Sequence, residues 1–311
     1  MKTIALGDTG IQVSALCLGT MYFGTKENEA VSFRLLDQYL DAGGTFLDTA
    51  NSYACWVNGF RGGESETLLG RWMHLRKNRD RVFLATKMGF AYPGSEAGAS
   101  AKQIIMECEK SLQRMGVETI DLYYIHLDDR ATPLEETLGA LDRLIREGKI
   151  RQIGASHFLA WRLEEAYGLS QHHGWAKFCC VQQCHTYLRP RPGTANLSDP
   201  YINDDLLDYA RSRPISLLAY NALLSGAYTR PERAIPGQYL GPDSDERLFR
   251  LRRVAAEKNV TPNQIVLSWM LHQNPKIIPL IGASTGEQLA ENLQAVEVSL
   301  NQEEMDRLEW A

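Results

Sequence analysis

Gly44-Thr45-Phe46-Leu47-Asp48-Thr49-Ala50-Asn51-Ser52-Tyr53 is a short apolar run closed by a carboxylate and, five residues later, by a phenol. Thr45-Phe46-Leu47 has the length and composition of a buried parallel strand. Two later stretches repeat the plan: Val82-Phe83-Leu84-Ala85 leads into Thr86-Lys87, and Ile120-Asp121-Leu122-Tyr123-Tyr124-Ile125 leads into His126. Each run delivers one polar side chain at or just past its end. In a barrel of alternating strands and helices the C-terminal strand ends converge on one face, so Asp48, Tyr53, Lys87 and His126 would share a pocket.

Strand and helix patterns alternate along the whole chain, which signals a parallel sheet rather than two separate halves. Strands are expected over residues 16–19, 45–48, 82–87, 120–126, 150–156, 178–182, 215–219 and 277–281. Helix-period apolar positions fall within 28–42, 64–74, 101–115, 134–147, 160–171, 203–212, 245–258, 262–272, 286–296 and 302–310. Thr261-Pro262 is a helix start, a capping hydroxyl followed by proline at the first position. Residues 188–200 and 229–243, rich in Pro, Gly and Asp, are expected as long loops above or beside the pocket. The expected fold is α/β, a (β/α)8 TIM barrel. The first ten residues, with a Gly7-Asp8-Thr9-Gly10 turn, form an N-terminal β-hairpin that plugs its bottom.

Composition fits one barrel domain spanning 1–311, since eight βα units take about 250 residues. Hydrophobic residues make up 44% of the chain, enough for a large core. No uninterrupted apolar stretch of about 18 residues suggests a membrane span. The N-terminus lacks the apolar run of a signal peptide. Six cysteines without regular spacing point to reduced thiols and the cytoplasm rather than to a disulfide framework. Cys179, Cys180, Cys184 and His185 fit no common zinc spacing, and strand neighbours point to opposite faces, so no metal is expected. The net charge of −5 argues against a broad basic surface, hence against nucleic acid or anionic membrane as partners. Nothing marks an oligomer interface.

The four polar residues suit carbonyl reduction, which adds hydride to carbon and needs a proton donor for oxygen. Tyr53 would be that donor. Its free pKa of about 10 lies roughly three units above neutrality, so a cation worth about 4 kcal/mol to the phenolate is needed, and Lys87 supplies it. Asp48 would hold the ammonium, and His126 would orient the substrate oxygen or share the proton relay.

The chain resembles the aldo-keto reductases from about residue 6 to residue 310. The resemblance is carried by L-C-L-G-T-M at 16–21, G-T-F-L-D-T-A-N-S-Y at 44–53, A-T-K at 85–87 and D-L-Y-Y-I-H at 121–126. It continues in G-K-I-R-Q-I-G-A-S at 148–156, V-Q-Q at 181–183, L-L-A-Y at 217–220 and G-A-S-T-G-E-Q-L-A-E-N at 282–292. By this resemblance Asp48, Tyr53, Lys87 and His126 fall on the family's catalytic tetrad and the cofactor is NADP(H) or NAD(H). Tyr220 would stack on the nicotinamide, with Ser156 and Gln182 holding its carboxamide. Gly19, Thr20 and Met21 would line its ribose. Asn221, Leu223 and Gly226 would close over the pyrophosphate, aided by backbone N–H groups at Gly282 and Ser284 before a helix. Gln288, Glu291 and Asn292 would meet the adenosine.

Three positions depart from the family pattern. His157 stands where Asn is usual and brings a second titratable group toward the carboxamide. Asn221 replaces a common Ser. Gln288 stands where phosphate-selective members often carry Arg, and Ser284-Thr285-Gly286 offers no cation for a 2'-phosphate, which puts NADP(H) preference in doubt unless Arg230 or Arg233 reaches in. For the substrate, Tyr22, Phe23, Trp56, Phe90 and Tyr187 offer flat walls, while Asp128, Asp129 and Arg130 offer charge and hydrogen bonds. That mixture points to a sugar-type or other carbonyl compound. Net oxidation of a sugar or alcohol, or a cofactor-sensing partner subunit with vestigial catalysis, are the alternatives.

Overall fold

The apolar runs pair edge to edge in the order in which the chain lays them down. A computed structural model describes residues 1–194 and 199–309. It opens on an antiparallel hairpin of β1 (Thr3–Ala5) and β2 (Gln12–Ser14). There follow β3 (Cys17–Gly19), α1 (Glu29–Asp41), β4 (Phe46–Asp48), α2 (Glu64–Arg76), β5 (Phe83–Met88), α3 (Ala101–Met115), β6 (Ile120–Ile125) and α4 (Leu134–Arg146). The second half carries β7 (Ile150–Ser156), α5 (Ala160–His173), β8 (Phe178–Cys184), α6 (Asp204–Ser212) and β9 (Ser216–Tyr220). It ends on α7 (Ser244–Lys258), α8 (Pro262–His272), β10 (Ile277–Ile281), α9 (Gly286–Gln294) and α10 (Gln302–Glu309). β3 to β10 are parallel and close into a barrel, β10 pairing with β9 on one side and β3 on the other. This is the expected (β/α)8 barrel with its hairpin.

Side-chain alternation along the strands sorts two cores and aims the polar residues. Phe46, Ala85, Leu122, Tyr124, Cys180 and Leu218 share the cluster inside the barrel, whereas Leu47, Leu84, Tyr123, Ile125 and Val181 join the larger cluster under the helices. Two residues beyond an inward position is inward again. Hence Phe46 leads to Asp48, Ala85 to Lys87, Tyr124 to His126, Cys180 to Gln182 and Leu218 to Tyr220, all one layer further toward the C-terminal mouth. Tyr124 fills the interior against Gly154, where a Cβ would come within 2.6 Å of its ring, so only glycine fits there.

The hairpin closes the opposite end. Its Leu6 and Val13 are fully buried among Cys17, Phe46, Cys179 and Ile278, and Gly7 donates from its backbone to Ser216 Oγ at 2.8 Å. Ser14 Oγ accepts from the N–H groups of Thr45 and Phe46 at the base of β4. Helix starts follow their caps: Asn28 for α1, capping boxes of Ser100 with Gln103 for α3 and Thr261 with Gln264 for α8, and Thr285 for α9.

Boundaries move by a few residues from expectation. β8 runs on to Cys184 because residues beyond 182 keep pairing with β9. The helix expected over 286–296 gives way to a 3-10 turn at Ala295–Glu297. Within the 229–243 loop lies a 3-10 turn at Gly237–Tyr239. Residues 195–198 of the loop expected over 188–200, and residue 310 of the last helix, lie outside the described residues. No helix among the described residues is long and apolar enough to cross a membrane.

Candidate active site

β4 and β5 deliver Asp48 and Lys87 side by side, both with no exposed surface. Beyond β4 the chain stays on the ladder for two more bonds, Thr49 N–H to Ala85 O and Asn51 N–H to Lys87 O, then turns so that Tyr53 arrives over Lys87. Lys87 Nζ spends its three protons on Asp48 Oδ1, Thr49 O at 2.8 Å and the Tyr53 hydroxyl at 2.6 Å. Tyr53 donates in turn to Asp48 Oδ1 at 3.1 Å, and Gln182 Nε2 donates to Asp48 Oδ2 at 2.9 Å. The buried charges are thereby paired and fully bonded, the condition for tolerating them in an interior.

Burial sets the protonation states. It pushes the Tyr53 phenol well above its ordinary value, and the Asp48 carboxylate adds to the rise. At rest Tyr53 is thereby held as a neutral donor. Burial also lowers Lys87, against the pull of Asp48. His126 is pushed well below its usual range by burial, then by Lys87 and His157, so its imidazole is neutral. Its Nδ1 is buried without a hydrogen-bond partner among the described residues, and its ring lies 6.1 Å from that of Tyr53.

An aromatic wall runs on from His126. Phe90 packs edge-on against His126 at 4.6 Å and against His157 at 5.6 Å, and His157 lies 5.6 Å from Tyr220. Phe90 remains 37% exposed, open to a ligand. His157 adopts a left-handed backbone (φ 61°) and its N–H donates to Gln183 Oε1. Its Nδ1 is buried and faces Asp199 Oδ1 at 3.5 Å. Tyr220 donates its hydroxyl to Asp199.

The positions expected to hold the dinucleotide follow the strand ends from β3 round to β10. Gly19 is level with Asp48 in the β3–β4 register, and Met21 follows, half-buried. Thr20 and Ser156 are fully buried, and both hydroxyls are engaged, with Asp48 O and Gln182 O. Asn221 takes a left-handed φ of 59° after β9 and Leu223 is half-buried. A Cβ on Gly226 would lie 3.4 Å from Arg230 Nε. At α9, Gln288 Oε1 accepts from Ser284 N at 2.9 Å, Asn292 Nδ2 donates to Gly282 O at 3.2 Å, and Glu291 Oε1 accepts from Thr261 Oγ1 at 2.6 Å. The residues fit a nicotinamide dinucleotide. Among the described residues, Asn263 Oδ1, beside Glu291, is buried without a hydrogen-bond partner. Gly282 has open space where a Cβ would stand.

Four expected substrate contacts are corrected. Phe23, 2% exposed, belongs to the core under the helices, since its loop turns back onto the barrel wall. Tyr187 is buried between Arg247 and Trp269 and donates to Leu308 O at 2.9 Å. Asp128 is consumed by Arg162 and Arg130, at 3.0 Å each. Asp129 accepts from Ala99 N, Ala131 N and Thr132 Oγ1 and so ties two loops together. Tyr22, half-buried under Lys26 Nζ at 4.0 Å, and Trp56, 57% exposed three residues past Tyr53, stay open to contact. Gln183, Asp199 and Asn263 escape a reading of the sequence. The Gln182-Gln183 doublet hides which residue faces inward, and an acidic residue in an irregular loop carries no pattern.

The sequence model of the Aldo/keto reductase family matches residues 15–311. Norsolorinic acid reductase stcV of Emericella nidulans is 33% identical over 96% of this chain and 78% of its own length. The uncharacterized oxidoreductase YrpG of Bacillus subtilis is 33% identical over 97% of this chain and 93% of its own. Aldo-keto reductase str7 of Strobilurus tenacellus is 30% identical over 91% and 82%. This chain belongs to the aldo/keto reductase family.

Proposed function

We propose that this oxidoreductase interconverts a carbonyl and an alcohol on a flat aromatic substrate, with Tyr53 as the acid in reduction and the base in oxidation. One observation carries the reading: the neutral Tyr53 hydroxyl is bonded to Lys87 Nζ at 2.6 Å and Asp48 at 3.1 Å. When bound, the dinucleotide supplies or takes up the hydride. Tyr53 passes its proton to the substrate oxygen, and Lys87, already aimed at that hydroxyl, stabilises the phenolate left behind. Asp48 keeps the ammonium in place. The free Nδ1 of His126 marks an imidazole with hydrogen-bonding capacity to spare for orienting the oxygen.

The aromatic class is favoured over sugar-type compounds because Phe90, His157 and Tyr220 form a continuous wall, while both oxygens of Asp128 and of Asp129 already accept bonds from the protein. For the cofactor, Ser284-Thr285-Gly286-Glu287-Gln288 carries no cation and Gln288 occupies Ser284 N, which supports NAD(H) binding at least as tightly as NADP(H). Cofactor oxidation is to be followed with NADH and NADPH, using aromatic and sugar-derived carbonyl compounds. Turnover is expected with the aromatic set and should fall about 10²–10⁴-fold in Tyr53→Phe with dinucleotide affinity unchanged. Full activity in the variant, or a clear preference for sugar carbonyls, would refute the reading.

A further inference from the structure

Away from Asp48, Tyr53, Lys87 and His126, four side-chain donors gather on one carboxylate of α3. Glu107 is 1% exposed. Its Oε2 accepts from Asn51 Nδ2 at 2.8 Å and from the Tyr92 hydroxyl at 2.6 Å, and its Oε1 accepts from Ser95 Oγ at 3.0 Å and Lys110 Nζ at 2.7 Å. Only Lys110 comes from its own helix. Asn51 lies two residues before Tyr53 and is pinned to the Lys87 carbonyl by its N–H. Tyr92 lies two residues past Phe90, in a tight turn closed by reciprocal bonds between the backbones of Tyr92 and Ser95.

We propose that Glu107 is a positioning residue that fastens the segment bearing Tyr53 to the segment bearing Phe90, and so sets the width of the cleft between the proton donor and the aromatic wall. The proposal rests on the reaction assigned above. Helix α3 has no need of donors from two separate loops for its own stability, whereas the cleft needs those loops in fixed register, since their spacing decides which ring systems enter while Lys87 and Asp48 hold the Tyr53 hydroxyl itself. The charge states suit the task. Burial raises the Glu107 carboxyl, but the bonds from Lys110, Tyr92, Asn51 and Ser95 outweigh it and hold it below the usual carboxylate range. Tyr92 is pushed up to about 12, by burial first and then by Glu107, and remains a donor. A third strand of chain is stacked on the same clasp: at Gly62 a Cβ would meet Asn51 O at 2.9 Å and the Tyr92 ring at 3.0 Å.

The test compares wild type with Tyr92→Phe, Glu107→Gln and the double variant, using a one-ring aldehyde, a fused-ring aromatic ketone and dinucleotide binding by fluorescence. Each single variant is expected to raise KM for the fused-ring ketone about 3–10-fold, while kcat for the small aldehyde stays within about twofold and dinucleotide affinity holds. The double variant should be no worse than Glu107→Gln alone, because Tyr92 acts through that carboxylate. Variants that remain folded but show no such split, or effects that add in the double, overturn the proposal. If Glu107→Gln does not fold, Tyr92→Phe and Ser95→Ala, each deleting one hydroxyl, decide it on the same KM criterion. A wild type that turns over no carbonyl compound contradicts the assigned reaction instead. Hydrogen exchange then decides the clasp: joint loss of protection over 49–57 and 89–99 in Tyr92→Phe supports it, and loss confined to α3 overturns it.

Discussion

Tyr53 owes its place to a backbone that leaves β4 two bonds late, and each partner around it to an inward position on its own strand. That is why the convergence of Asp48, Lys87 and His126 could be read from the sequence: a polar residue two steps beyond an inward apolar one can point only into the mouth of the barrel. Loop residues have no such period. Phe23 and Tyr187 read as walls because an aromatic side chain offers the same apolar surface to a ligand and to a core, and here the core takes both. Asp128 and Asp129 read as ligands for hydroxyls because their ion pair with Arg162 and their hold on Ala99 join segments 34 and 30 residues apart, which no local pattern shows. Asp129→Ala is therefore expected to leave KM for carbonyl compounds within about twofold while costing about 1–3 kcal/mol of stability, since it strips the partner from two backbone N–H groups and a hydroxyl. Steady-state kinetics beside thermal melts check this. A large KM effect without a fall in Tm would restore Asp129 to the substrate site.

The elements announce themselves at their beginnings more than at their ends. Asn28, Ser100, Thr261 and Thr285 each stand at a helix N-cap with the bond that a cap requires. By contrast α2 has Gly63 at its N-cap, with φ 87° and no side-chain cap, a left-handed backbone that favours glycine and carries no capping signal. Strand ends were less legible, because pairing with a neighbour, invisible in one run of residues, decides how far β8 extends. The α8 cap also links stability to the site. Thr261 Oγ1 accepts from Gln264 N and donates to Glu291, the residue expected at the adenosine end. Thr261→Ala should cost about 1 kcal/mol from the lost cap. It should also weaken dinucleotide binding several-fold, by releasing Glu291. Titration of cofactor fluorescence separates the effects: a lower Tm with unchanged affinity would show that the cap is structural alone. Thr261→Ser, which keeps the hydroxyl, should restore both.

At the scale of the whole molecule, alternating strands and helices made the barrel legible, and so did the hairpin that seals it, whose Leu6 and Val13 complete an interior too wide for its own strands to fill. Two imidazoles just past the C-terminal ends of β6 and β8 shape how the protein responds to acid. His126 is held well below its ordinary value by burial, and His185, stacked on Trp269, is pushed down to about 4 by burial. The unfolded chain protonates both near pH 6.5, while the folded protein resists until the pH reaches the lowered values. Over that window the unfolded state binds more protons, so stability must fall as the pH drops, by about 3 kcal/mol for His185 between pH 6.5 and 4 as an upper figure. The carboxylates act elsewhere on the scale. Asp37, Glu107, Asp129 and Asp199 have lowered values, so their contribution is intact above pH 4.5 and is lost only below it. A decline in Tm between pH 6.5 and 4.5 therefore belongs to buried imidazoles. Melts from pH 8 to 4 should be flat above 7 and slope below 6.5, and His185→Gln should remove part of that slope while leaving the fall below pH 4.5 untouched. A wild-type Tm constant down to pH 4.5 would mean that the mouth of the barrel hydrates these rings, and with them the site in which Tyr53 is held neutral.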